Sequence, residues 1–306
     1  MHVLEARQFE RAWLESTLFP LADRMAGLAE FGAHRLLDGK RLFWLFFEPS
    51  TRTRVSFESA IALLGGTATG IQVDPRAELI EERLEDRVRV INGYGYDYLL
   101  LRHHEEGGAE RAAAVSNAAV INAGDGAGEH PTQALLDAYT IWKEVGRLEG
   151  LRIALVGDLT HERSTASLAR LLARCGIARL DFVSPEMLPP RPNIKAELDA
   201  AGVPYRELRD VRQVAADVDV LYLTRAHTER LLHAQRMERE SGFYAVDRSV
   251  LDLLPEQSIV MHPLPRGAEL PPEFDSDPRV ACFRQARNGL HVRMALLLAL
   301  SRDAVG

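Results

Sequence analysis

Cysteine is nearly absent from this chain: Cys175 and Cys282 are the only two in 306 residues. Two are too few for a disulfide framework or a structural zinc site, so both are expected to be small buried apolar side chains. Lysine is almost as scarce, with Lys40, Lys143 and Lys195 standing against many arginines. No apolar run approaches the roughly 18 residues that a membrane-spanning helix needs. Positive charge is not in excess either. A net charge of −7 and a pI near 5.8 argue against a nucleic-acid surface, so any anion site has to be local. Internal repeats and low-complexity tracts are missing. Met1 to Arg7 lacks a signal-peptide layout, and a cytoplasmic protein is expected. What remains, 46% hydrophobic and 26% charged residues, is the composition of a soluble globular chain with length for two domains.

Strand-like and helix-like segments alternate almost throughout. Strands are expected at 42–47, 68–73, 97–102 and 118–122, with helices at 52–65, 80–93 and 108–116. The amphipathic stretch His130 to Val145 has no strand partner and is expected to cross between two halves. A second alternation opens with the buried strand Arg152 to Asp158. Strands at 179–184, 218–223 and 258–262 follow, with helices near 164–176, 194–202 and 210–216. The stretch Asn288 to Arg302 is too apolar for a free tail. The pattern predicts an α/β protein of two doubly wound parallel-sheet domains, with ligands beyond the carboxyl ends of the strands and in a cleft between the domains.

The most informative stretch is Phe46 to Ala60, FFEPSTRTRVSFESA. A short apolar strand is broken by Glu48-Pro49, Ser50 stands as a helix N-cap, and Ser50, Thr51, Arg52, Thr53 and Arg54 cover a helical first turn. Unpaired backbone N–H groups, hydroxyls and a guanidinium then converge on one anion-sized space, a phosphate site without a glycine-rich loop. A lone Ser-Thr-Arg is more often an ordinary capped helix, and the longer string is what carries the functional reading. Arg102, at the end of the strand Tyr98–Arg102, can complete such an anion site. Next to it, His103 and His104 are expected to point apart, and no metal is read from them. The glycine-rich turn from Asn122 leads to His130 and Gln133, one helical turn apart. Histidine can donate to a carbonyl oxygen as charge builds there, and glutamine can hold an amide. Arg163 and Arg225, after two further strands, make a pair of forks suited to a dicarboxylate.

These strings, together with HPTQALLDAYTI, the Gly157-Asp158 strand end before Arg163, Arg225 to Arg230, and HPLPR at 262–266, resemble the aspartate and ornithine carbamoyltransferase family from about residue 40 onward. The resemblance implies a transferase that moves a carbamoyl group from carbamoyl phosphate to an amine. The pair of arginine forks favours aspartate over the cationic ornithine. The resemblance also implies roles for single residues. His130, Arg52, Thr53 and Arg102 act on the reacting group; Ser50, Thr51, Gln133, Arg163, Arg225, His227, Leu264 and Pro265 bind substrate. Glu48 bridges domains to Arg163 and Arg230. The expected domains are 1–132, joined by a returning C-terminal helix at about 288–306, and 133–287. No cofactor is implied. The partners are a phosphate-bearing donor, a dicarboxylate acceptor and further copies of the chain in a homotrimer, with no nucleic acid and no membrane.

Two departures stand out. Aspartate enzymes of the family carry a Ser and a Lys in the loop after the second strand, whereas Asp74 to Arg87 has neither and sets six acids against three arginines, a net −3. His227 stands where those enzymes usually have Gln. The loop predicts that carbamoylation of aspartate is slow or absent unless a Ser and a Lys are restored to it; the other reading is a working carbamoyltransferase in which Arg76 or Arg83 replaces the lysine. The loop also leaves open a divergent paralogue performing other chemistry, such as a lyase step, on an aspartate or succinyl compound. A non-catalytic homologue is disfavoured by the intact His130, Gln133 and arginine forks.

Overall fold

β1 (Arg41–Phe46) is the centre from which the first sheet grows, and its sequence RLFWLF is buried from Trp44 onward. The structure, a computed structural model, describes residues 1–32, 34–73, 82–225 and 244–303. It divides into two compact units, Met1–Leu136 with Arg287–Gly306, and Asp137–Ala286.

In the first unit β1 is followed by α3 (Thr51–Leu63), β2 (Thr67–Gln72), α4 (Leu84–Gly93), β3 (Tyr98–His103), α5 (Gly108–Ala113) and β4 (Ala119–Asp125). All pairings are parallel, in the order β2-β1-β3-β4. Parallel strands covered on both faces need near-continuous apolar runs, and β3, YLLLRH, has one. β2 reads TATGIQ, and its largely exposed residues mark it as an edge. Val3 caps the opposite edge, donating to Val120 O and accepting from Asn122 N–H, each at 2.8 Å. Before β1 lie α1 (Arg11–Trp13), a π-helical stretch Leu14–Leu18 and α2 (Phe19–Ala29), which bury Leu14, Leu18, Phe19 and Met25. The sequence reading proposed no helix there.

The second unit repeats the plan with β5 (Arg152–Val156), α7 (Arg163–Leu172), β6 (Arg179–Val183), α8 (Pro192–Ala200), β7 (Tyr205–Leu208), α9 (Arg212–Ala215), β8 (Val220–Leu223), α10 (Arg248–Leu253) and β9 (Ile259–Met261). Its order, β7-β6-β5-β8-β9, makes β5 and β8 the adjacent pair at which the sheet changes its direction of growth. β7 was not anticipated. Its sequence YREL is polar and half exposed, so it carries no apolar signature. Both cysteines are buried and free, as expected.

Two helices carry the chain across the boundary between units. α6 (Pro131–Val145) is divided at Leu136, and α11 (Cys282–Asp303) at Ala286. From Arg287 onward α11 belongs to the first unit. Val292, Met294, Leu296 and Leu297 are buried, and the Tyr98 hydroxyl donates to Leu297 O at 3.0 Å. Among the described residues no helix is long and apolar enough to cross a membrane.

Candidate active site

The ends of β1 and β3 lie side by side, with Phe46 opposite Arg102. Phe47 N–H donates to Arg102 O at 2.8 Å, after which Glu48-Pro49 turns the chain into α3. Ser50 is the N-cap, as expected, and its side chain makes no capping hydrogen bond. The helix starts at Thr51 and its first ladder bond is Arg54 N–H to Ser50 O at 3.2 Å. The amides of residues 51–53 stand ahead of that ladder in the first turn, at the positive end of the helix, where an anion is favoured. Thr53 is buried there, and partial burial lowers the pKa of Arg52 by removing water from its guanidinium. Arg102 arrives from the neighbouring strand. Its Nη1 donates to Ala123 O at 3.0 Å, and its Nη2 lies 3.2 Å from Glu48 Oε2. The structure thus brings Ser50–Thr53 and Arg102 to the carboxyl ends of the two central strands.

β4 ends at Asp125, and a tight turn returns the chain to His130. His130 and Thr132 are buried, with Thr132 Oγ1 3.4 Å from His130 Nδ1. With the hydroxyl as donor, the ring proton sits on Nε2. Gln133 follows one turn later, its N–H donating to His130 O at 3.0 Å.

His103 and His104 do not point apart. Their rings stack at 4.5 Å and 22°, and Phe47 packs edge-on against both. The β3–β4 register shifts between Leu101 and His103, which breaks the strict alternation of a strand. Burial, then the neighbouring His104, lowers the pKa of His103. Ligand atoms of His103, His104 and Glu105 lie within 4.8 Å of one another. They are already engaged: Glu105 N–H donates to His103 Nδ1 at 3.0 Å, and the Glu105 carboxylate is 3.0 Å from Arg111.

In the second unit, Gly157 closes β5 at φ +121°, and a Cβ there would lie 2.5 Å from Thr224 O. Asp158 is buried and accepts N–H groups from Thr160 at 3.1 Å and His161 at 2.9 Å. This turn delivers Arg163 as the first residue of α7. Arg225 leaves the end of β8, and Val156 is paired with Leu223, so the two arginines issue from adjacent strands. His227 and Arg230 lie outside the described residues, as does Arg76.

After β9 comes the turn of Leu264 and Pro265. Leu264 has φ +60° and the Leu264–Pro265 peptide is cis. Leu264 N–H donates to His262 Nδ1 at 2.9 Å, which leaves Nε2–H to donate to Glu269 Oε1 at 2.9 Å. Burial pushes the Glu269 carboxyl up, and the hydrogen bonds from His262 and Gly267 overcome it, so its pKa is lowered. His262 N–H donates to Gln285 Oε1 at 2.9 Å. Gln285 Nε2 and the Tyr222 hydroxyl each donate to the fully buried Asp137 at 2.7 Å. Burial and then the charge of Asp137 raise the pKa of Tyr222 well above its ordinary value. The sequence reading gave no role to Asp137, Tyr222, Glu269 or Asp125; an acid inside the apolar string ALLDAYTI was the available signal.

Only residues 82–87 of the acidic loop are described. Arg83 lies 3.6 Å from Glu85 with its side chain largely exposed. Arg87 lies 3.2 Å from Glu82, its guanidinium 5.8 Å from the centre of the Phe47 ring.

Comparison with known proteins gives a consistent result. Residues 1–143 match the family profile described as aspartate/ornithine carbamoyltransferase, carbamoyl-P binding domain, and residues 149–300 match its Asp/Orn binding domain. The chloroplastic aspartate carbamoyltransferase of Oryza sativa subsp. japonica is 45% identical over 311 residues, covering 97% of this chain and 84% of the relative. The aspartate carbamoyltransferase catalytic subunit of Methanopyrus kandleri is 44% identical over 297 residues, covering 96% and 95%. Among solved structures, aspartate transcarbamoylase from Trypanosoma cruzi in complex with carbamoyl phosphate and aspartate superposes with a TM-score of 0.90 at 37% identity, covering 97% of this chain and 94% of that one.

Proposed function

This chain belongs to the aspartate/ornithine carbamoyltransferase family, and from that premise we propose that it transfers the carbamoyl group of carbamoyl phosphate to the amine of aspartate. The observation that carries the donor half is the meeting of the α3 N-terminus with Arg102, an anion site at the carboxyl ends of the two central strands. There Ser50, Thr51, Arg52 and Thr53 hold the phosphate. His130 Nε2–H donates to the carbamoyl oxygen as negative charge builds on it, and Gln133 accepts from the carbamoyl amide. The acceptor half rests on Arg163 and Arg225, whose forks suit two carboxylates, with the Leu264–Pro265 turn supplying backbone carbonyls. The amine nitrogen bonds to the carbamoyl carbon, the C–O bond breaks with its electron pair leaving on phosphate, and the departing phosphate takes up the proton that the amine loses. Every step uses side chains and backbone of the chain. Relatives and solved structures that act on aspartate do not favour a lyase step on the same scaffold.

The test is formation of carbamoyl-aspartate, measured colorimetrically with aspartate and with ornithine as acceptors. Carbamoyl-aspartate from aspartate and no product from ornithine are expected, and turnover on the order of 10 s⁻¹ or faster would set aside the slow rate predicted from the acidic loop. Binding of both substrates without product would overturn the reading and revive other chemistry. We read the active form as a homotrimer or a multiple of one, supported by kinship to a chain named as a catalytic subunit. A monomer by sedimentation at micromolar concentration would refute that.

A further inference from the structure

Two strand-end loops of the first unit lie against each other, and one carboxylate ties them together. β3 leads through Arg102, His103 and His104 into the turn at Gly107; β4 leads through Asp125 into the turn ending at His130. Asp125 is buried, and its oxygens are shared between these loops. Oδ2 accepts Gly107 N–H at 3.0 Å, while Oδ1 accepts Glu129 N–H at 2.8 Å and Asn122 Nδ2–H at 3.2 Å. Its backbone closes the second turn, with Asp125 N–H donating to Glu129 O at 3.2 Å and Gly128 N–H to Asp125 O at 2.8 Å. Gly126 N–H reaches across to His103 O at 3.0 Å. The loops touch so closely that a Cβ on Gly126 would lie 2.8 Å from Glu106 N and 2.9 Å from His104 O. Arg102 is attached to the same strand end through Ala123 O, two residues before Asp125.

We propose that Asp125 is a positioning residue for the donor half of the site: its carboxylate fixes the loop carrying Arg102 relative to the loop presenting His130 and Gln133. The inference rests on the carbamoyl-transfer reading above. The physical reason is that phosphate and carbonyl oxygen are a few bonds apart in one substrate. The groups that read them therefore need a fixed separation, and a misplacement of about 1 Å can cost on the order of 100-fold in rate. A carboxylate suits the position because both of its oxygens accept, whereas an amide turns its N–H₂ against one of the backbone donors. With two backbone N–H groups and one side-chain N–H held by its two oxygens, loss of the carboxylate releases both loops at once.

The experiment is Asp125→Asn, compared with wild type in kcat, in KM for each substrate and in thermal unfolding. A fall in kcat on the order of 100-fold is expected, with a raised KM for carbamoyl phosphate and a KM for aspartate unchanged within about twofold. As a control, Asp181→Asn removes a fully buried carboxylate paired with Arg179 and Arg206 in the second unit. It should lower Tm and keep kcat. Wild-type kcat and KM for carbamoyl phosphate in Asp125→Asn would overturn the proposal. Should that variant not fold, Gly128→Ala decides by the same measurements, because its Cβ would press on both loops at the Asp125 anchor, meeting Glu106 Cγ at 2.9 Å, Asp125 Oδ1 at 3.0 Å and Asp125 O at 3.1 Å. A lowered kcat there supports the proposal and an unchanged one overturns it. A wild type that does not turn over sinks the carbamoyl-transfer reading alone. Calorimetry with inorganic phosphate then decides the inference, weaker binding by Asp125→Asn supporting it and equal binding overturning it.

Discussion

At the level of single residues, the structure separates groups that bind from groups that hold. Arg52 stands in the first turn of α3, partly desolvated, where the helix already favours an anion. Replacing Arg52 with Ala should weaken phosphate or carbamoyl phosphate binding by about 1.5–3 kcal/mol, the worth of a hydrogen bond to a charged group, as calorimetry can read. Glu110 gives the opposite lesson. Burial, then the charges of Asp125, Glu5 and Glu106, raises its pKa. A carboxyl with a raised folded-state pKa costs stability above that pKa, and the cost vanishes once pH falls below the unfolded value of 4.5. Glu110→Gln should therefore raise Tm by about 2 °C at pH 7.5 and by nothing near pH 4. An equal gain at both pH values would mean the effect is packing and not charge.

At the scale of elements, the alternation of apolar and amphipathic segments made both sheets legible, because parallel strands buried on two faces need runs such as FWLF and YLLL. β7 was invisible because an edge strand with polar residues has no such run. The helices before β1 were missed because Arg11 to Ala29 passes through a π-helical stretch that disturbs a 3.6-residue period. In the site, the turn from β1 into α3 and the strand ends before Arg163 and Arg225 were legible from residue type and place. The stacking of His103 on His104 was not, since it follows from a register shift that no local pattern announces. Asp125 lay within a turn noticed for its glycines, and its partners at Gly107 and Glu129 are visible only in three dimensions. Edge strand β2 carries its own test. Gly70 is opposite Trp44, and a Cβ there would collide with both Trp44 O and its indole ring. Gly70→Ala should cost about 1–3 kcal/mol in urea unfolding, the usual penalty of overpacking. No change in the midpoint would show that the edge yields freely.

For the whole molecule, each unit has its own apolar core, and the residues proposed to bind anions are divided between the two units. Succinate lacks the reacting amine but keeps both carboxylates, so it should bind through Arg163 and Arg225. At about 100 times its Kd it should add about 2.7 kcal/mol of stability, visible as a raised Tm and lost in Arg225→Ala. An equal rise in that variant would remove the fork from the acceptor site. The discontinuity of the first unit matters before the enzyme exists as an enzyme. Its residues 1–136 leave the ribosome before residues 137–286, yet the α11 segment that covers Tyr98 is made after them. At about 5–20 residues per second the nascent first unit waits roughly 8–30 s for its final helix, while the inserted unit can close on its own. Birth order and completion order are reversed, and through that interval the unfinished half is the part of the chain with most need of a chaperone.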